Sequence, residues 1–236
     1  MCIRDRLSIN NRYALGYSLK SGRFLQTCAR GLVIGVIIML VHGALLLILG
    51  VRVLEPDRFE FSRLAYTLSS GLVSGLLVAF IEETLFRGAM QYGIRYSNTL
   101  LVTATGTSLV YAAVHFLHPP ALQQGSVIVW SSGWEMLVGM FHQYRGYTGF
   151  VDSFIALFAA GLLLSLVRER TGNIALCIGI HAGWVMMIKL ARDVSTADPA
   201  ASSAFLIGSY DGIIGWAAAG VLALVTAWYW YSAYRR

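Results

Sequence analysis

Two adjacent carboxylates stand in an otherwise apolar stretch, Phe80-Ile81-Glu82-Glu83-Thr84-Leu85-Phe86-Arg87. Two histidines, His115 and His181, lie in similarly apolar runs further along the chain. A carboxylate and two imidazoles brought together by folding can do hydrolytic chemistry in two ways. The carboxylate can act as general base on a water molecule. Alternatively the three groups, Glu82, His115 and His181, can ligate zinc and leave one position open for water. A third use of such groups within a bilayer is a proton relay in a transporter.

Helical geometry separates the two acids. Glu83 and Arg87 are four residues apart, share a face, and have the acid on the N-terminal side, the favourable order for an ion pair. Glu82 points about 100° away, and its own i+4 neighbour is Phe86. Glu82 must therefore find its partner on another helix. His115 and Glu82 lie on consecutive helices joined near residues 94–98. Counted from that turn they differ in depth by roughly 7 Å, which one site can span. His118 lies three residues beyond and reads as a cap or interface group. His42 and His142 have no charged or histidine neighbours in sequence and read as ordinary hydrogen-bonded residues.

The elements that must hold these groups are long hydrophobic runs. The chain has 236 residues, of which 57% are hydrophobic and 13% charged. Soluble domains carry about twice that share of charge. Six runs stand out: Gly31–Val51, Leu64–Gly93, Leu100–Leu117, Phe150–Val167, Ile174–Leu190 and Ile213–Tyr231. A bilayer core takes about 20 apolar residues in helical form, and the runs lack the dyad alternation of a membrane β-barrel. The expected fold is an all-α, polytopic membrane bundle of about six transmembrane helices. Between the third and fourth runs, residues 121–147 are mixed and rich in aromatic residues, as in an interfacial loop or shallow helix. His118-Pro119-Pro120 should stop the third helix. The expected organisation is a cytoplasmic segment over residues 1–29 and one membrane domain over 30–236. Residues 1–6 resemble translated adapter sequence and carry no fold information.

The net charge of +6 does not form a basic face. It flanks the hydrophobic runs, as anchoring residues do, so nucleic acid is not an expected partner and the lipid bilayer is. With the N-terminus inside, twelve Lys and Arg fall on inner segments and six on outer ones. Both termini are therefore expected in the cytoplasm. Cys2, Cys28 and Cys177 fit no metal or redox spacing and read as free thiols.

At these residues the sequence resembles the CPBP family of CAAX proteases and bacteriocin-processing enzymes, also called the Abi or type II CAAX prenyl endopeptidase family. Glu82, Glu83 and Arg87 match its E-E-x-x-x-R motif, with Gly88 following. His115 matches F-x-x-x-H, with Tyr111 in place of the Phe. His181 matches the third motif, H-x-x-x-N, but Val185 stands where a polar residue is expected. The resemblance covers about residues 64–190. It implies a glutamate-type intramembrane endopeptidase of a prokaryotic cell membrane, acting on a membrane-associated protein or peptide. Glu82 would be the base on water, His115 its assistant, and His181 the stabiliser of the oxyanion. Because valine cannot donate a hydrogen bond, that last role would rest on His181 alone or pass to a neighbour such as Trp184. The Val185 departure also leaves a non-catalytic scaffold or regulator of the cell envelope as the alternative. The family resemblance leans towards a metal-independent mechanism, so zinc is not an expected requirement.

Overall fold

Each of the six apolar runs forms a helix in the computed structural model. It describes the backbone of residues 12–117, 128–146 and 150–234, with side chains for all of these except 141–146, 233 and 234. The helices are α1 (Ser21–Ile48), α2 (Phe61–Arg95), α3 (Leu100–Val114), α4 (Trp130–Gly146), α5 (Val151–Thr171), α6 (Ala175–Val194) and α7 (Trp216–Tyr234). The chain is an all-α membrane bundle. Among the described residues four helices, α1, α2, α5 and α6, are long and apolar enough to cross a membrane alone. α3 has only 15 residues, about 22 Å of helix, short of a hydrocarbon core of about 30 Å. The mixed aromatic stretch contains α4, on which Trp130 and Trp134 are exposed. Cys2, His118 and Tyr147 lie outside the described residues, as do the side chains of Phe141, His142 and Tyr144.

Lipid-facing surfaces account for the excess of apolar residues. Val33, Ile37, Leu40 and Val41 on α1, and Val73, Leu77, Phe80 and Ile81 on α2, point outward. The packed interior is centred on α5 and α6, through residues such as Leu157, Leu163, Leu164, Ile180 and Trp184.

Small residues set how closely α1 and α6 approach. Gly31 and Gly35 on α1, and Gly179 and Gly183 on α6, are two G-x-x-x-G pairs facing each other. A Cβ on Gly35 would run into the Ile180 carbonyl, and one on Gly179 into the Cys28 carbonyl. Such close backbone approach is how helices gain packing energy where lipid offers no hydrophobic drive. It also orients the site. His181 lies two residues from both Gly179 and Gly183, about 200° around the helix, so it faces away from α1 and into the bundle.

The loops after α1 and α6 meet as a short antiparallel ribbon. Arg52–Leu54 (β1) pairs with Ser195–Ala197 (β2), in register Arg52↔Ala197. The hydrophobic runs give no sign of this pairing. The ribbon forms because close packing of α1 and α6 brings their exits within pairing distance. Arg52 clamps it, with Nε donating to Ser195 Oγ at 2.8 Å and Nη1 to the Gly212 carbonyl at 2.7 Å.

Candidate active site

α2 is not a uniform α-helix. From Thr84 to Met90 it widens into a π-helical segment that begins one residue after Glu83. Such segments recur at functional sites because they re-aim side chains without breaking the helix. Nothing in the sequence pattern marks it. The i,i+4 relation of Glu83 and Arg87 looks the same across an α or a widened turn.

Glu83 and Arg87 are fully buried, and Arg87 Nε lies 3.4 Å from Glu83 Oε2. Arg87 Nη2 donates to the Gly161 carbonyl at 3.2 Å. Its guanidinium sits over the Tyr111 ring, 4.4 Å from the centroid. The other Glu83 oxygen, Oε1, accepts from His181 Nδ1 at 3.0 Å. This contact spans 98 positions, and spacing gave no signal of it. Glu83 thus joins Arg87 to His181.

Glu82 faces a different set. Its Oε2 lies 3.8 Å from His115 Nε2 and 3.9 Å from His181 Nε2. Both separations exceed a hydrogen bond, and Oε2 is a buried atom with no partner. The tautomers of both rings are set from behind. His115 Nδ1 donates to the Tyr111 carbonyl at 2.7 Å, and His181 Nδ1 donates to Glu83. Both rings therefore turn Nε2 towards Glu82. This is the orienting role that a carboxylate or carbonyl plays behind a working imidazole. Tyr111 is packed against both histidine rings, at 4.5 and 6.2 Å between centroids. The Tyr111 ring is therefore in contact with Arg87 and with both histidines.

The three donors are of types that suit zinc. Among the described residues, however, no group of three or more His, Cys, Asp or Glu side chains is arranged to hold a metal ion. The set as it stands does not fit a formed metal centre. His42 lines the cavity that also reaches His115 and His181, with Nε2 3.1 Å from the Ile213 carbonyl. Asp211 accepts from the backbone N–H groups of Ile213 and Ile214 and shapes a turn.

A cavity of about 1000 Å³ opens onto His115 and His181. Its walls are apolar, with Ile38, Leu157, Ile188 and Leu222 among them. Its far end is charged and carries Arg63, Lys189, Arg192 and Asp193. Arg63 and Asp193 pair across this mouth at 2.5 Å, and Thr67 Oγ1 also donates to Asp193. Trp184 and Val185 both line the cavity. Trp184 Nε1 is buried and has no hydrogen-bond partner, a costly state for an N–H group that nothing else offsets. The sequence reading offers Trp184 as an alternative donor because it adjoins Val185; that its N–H is buried without a partner is visible only in the fold.

A family model described as type II CAAX prenyl endopeptidase Rce1-like matches residues 64–187. The chain belongs to that family. The matched segment runs from the start of α2 to within α6 and contains Glu82, Glu83, Arg87, His115 and His181. No curated protein and no solved structure matches the chain. Membership makes it a member of a membrane protease family, which acts on peptide bonds. A membrane-embedded protein or peptide substrate and a lipid environment follow at that level.

Proposed function

We propose that this protein is an intramembrane endopeptidase in which Glu82 activates water. One observation carries the reading. The partnerless Glu82 Oε2 faces two Nε2 atoms at 3.8 and 3.9 Å. A single water can lie about 2.8 Å from both Glu82 Oε2 and His115 Nε2. Such a water donates one hydrogen bond to Glu82 and one to His115 Nε2, leaving an oxygen lone pair for attack.

Water loses a proton to Glu82 as its oxygen bonds to the substrate carbonyl carbon. The carbonyl oxygen becomes an oxyanion. His181, when protonated at Nε2, donates to it, with its positive charge facing Glu83. Trp184 Nε1–H is the second donor, in place of the polar side chain that Val185 lacks. Glu82 then passes its proton to the departing nitrogen as the C–N bond breaks. Donors aimed at developing charge in a dry site are the largest single contribution in many hydrolases.

With both termini cytoplasmic, the charged mouth of the cavity lies on the outer side. The apolar walls suit a hydrophobic segment of a membrane-associated protein or peptide. The purified protein in lipid vesicles should cleave a membrane-associated peptide. Glu82→Gln should reduce the rate by about 100-fold or more with expression and folding intact. Activity should survive exhaustive chelation. Zinc that is lost and regained together with activity would instead make Glu82, His115 and His181 ligands. A Glu82→Gln variant that retains the cellular phenotype would assign the scaffold role.

A further inference from the structure

A second pocket, of about 490 Å³, lies at the opposite end of the bundle from the charged mouth. It is bounded by the turn before α1, the end of α2 and the end of α5. Three guanidinium groups line it: Arg87, Arg95 and Arg168. Glu169 is the one carboxylate in the lining, and it is engaged by Arg95 at 3.0 Å. Arg168 donates only to carbonyls, those of Arg87 and Ala14, at 3.2 and 3.3 Å. Among the described residues no carboxylate pairs with it. Arg87 is fully buried, and its Nη1 has no hydrogen-bond partner.

The pocket is built, not incidental. Gly16, at φ +85, lets the turn over residues 12–16 close on Arg168; a Cβ there would lie 3.0 Å from Arg168 Nε. Ile174 N donates to the Gly16 carbonyl at 3.0 Å and fixes the turn in place. Tyr13 and Tyr92 line the pocket, and the Arg12 guanidinium stacks on the Tyr13 ring. Aromatic residues with arginines at a helix end mark the headgroup level of a bilayer.

Arg168, which has no carboxylate partner, and the unpartnered Nη1 of Arg87 face one small space, and guanidinium donors so placed call for an anion with several acceptor oxygens. Gln91 Oε1, buried without a partner, is an acceptor that suits a hydroxyl on the same ligand. We propose that this pocket binds a phosphate-class anion, supplied either by an anionic phospholipid headgroup or by free phosphate. Its location at a basic helix end between membrane helices is where headgroups are held.

The test uses the full chain. Protein is equilibrated with mixed phosphatidylcholine and phosphatidylglycerol vesicles, and the retained lipid is counted by mass spectrometry. In parallel, thermal unfolding in detergent is measured in inorganic phosphate and in chloride at equal ionic strength. A headgroup site gives selective retention of phosphatidylglycerol, which falls about tenfold in Arg168→Gln, the size of one lost charge-assisted contact. A free-phosphate site gives stabilisation by phosphate that Arg168→Gln lacks, without lipid selectivity. Glu169→Gln, which removes the single acid at an exposed ion pair, raises either signal, and it decides the matter if Arg168→Gln does not fold. No selectivity and no phosphate stabilisation, or a signal that Glu169→Gln leaves unchanged, overturns the proposal.

Discussion

At the scale of residues, two neighbouring glutamates of one chemical type have been given different work by their surroundings. Glu83 is fully buried and spends its two oxygens on Arg87 and His181. Glu82 keeps one oxygen turned towards two imidazoles without bonding to either. Arg87→Ala would leave Glu83 buried without its cation. Breaking a buried pair in this way costs about 3–5 kcal/mol, to be read as a lower midpoint of thermal unfolding in detergent. Arg87→Lys should recover little, because an ammonium cannot both reach the Gly161 carbonyl and cover the Tyr111 ring. A lysine variant as stable as the parent would contradict that account of Arg87. Trp184 carries a second test. Trp184→Phe keeps the ring's bulk and removes the N–H, so kcat should fall about 10- to 100-fold while KM changes little. Adding Val185→Asn should restore part of the loss by returning a donor one position away. An unchanged kcat in Trp184→Phe would remove Trp184 from the oxyanion site.

At the scale of elements, the helices were legible because lipid demands long apolar runs and little else. The boundaries were less so. The first run reads from Gly31, yet α1 begins at Ser21, because its first turns pack alongside α6 and Phe24 joins Tyr17 in a small cluster. The ion pair of Glu83 with Arg87 was legible, since it is local. The bond from Glu83 to His181 was not, because it is made by the approach of α2 to α6, and no pattern along the chain encodes that pairing. The π-helical segment from Thr84 was hidden for a related reason: widening a turn changes which neighbours a side chain meets but not the residues that form it. The approach of α1 to α6 is testable. Gly179→Ala places a methyl group against the Cys28 backbone. It should destabilise the protein by about 1–3 kcal/mol and reduce activity through displacement of His181. Unchanged stability and activity would show that these helices do not need contact at this distance.

At the scale of the whole molecule, the bundle has two unlike ends. One carries the charged mouth of the large cavity, near Arg63 and Asp193. The other carries Arg95, Arg168 and Arg170, together with the turn over residues 12–16. In the proposed orientation the excess of Lys and Arg on the second end puts it in the cytoplasm. Reporter fusions at residue 57 and at the C-terminus should therefore report opposite sides of the membrane, and the same side at both would refute this orientation. The central claim, that Glu82 activates water to cleave a peptide bond, is tested most directly by a single turnover in ¹⁸O-labelled water. A membrane-associated peptide is mixed with excess purified protein, and both are analysed by mass spectrometry. The expected result is one ¹⁸O atom in the new carboxyl group of the product and none in Glu82. An unlabelled product with the label in the Glu82 carboxylate would make Glu82 a nucleophile, and no cleavage at all under folded conditions would contradict the assignment of peptidase activity.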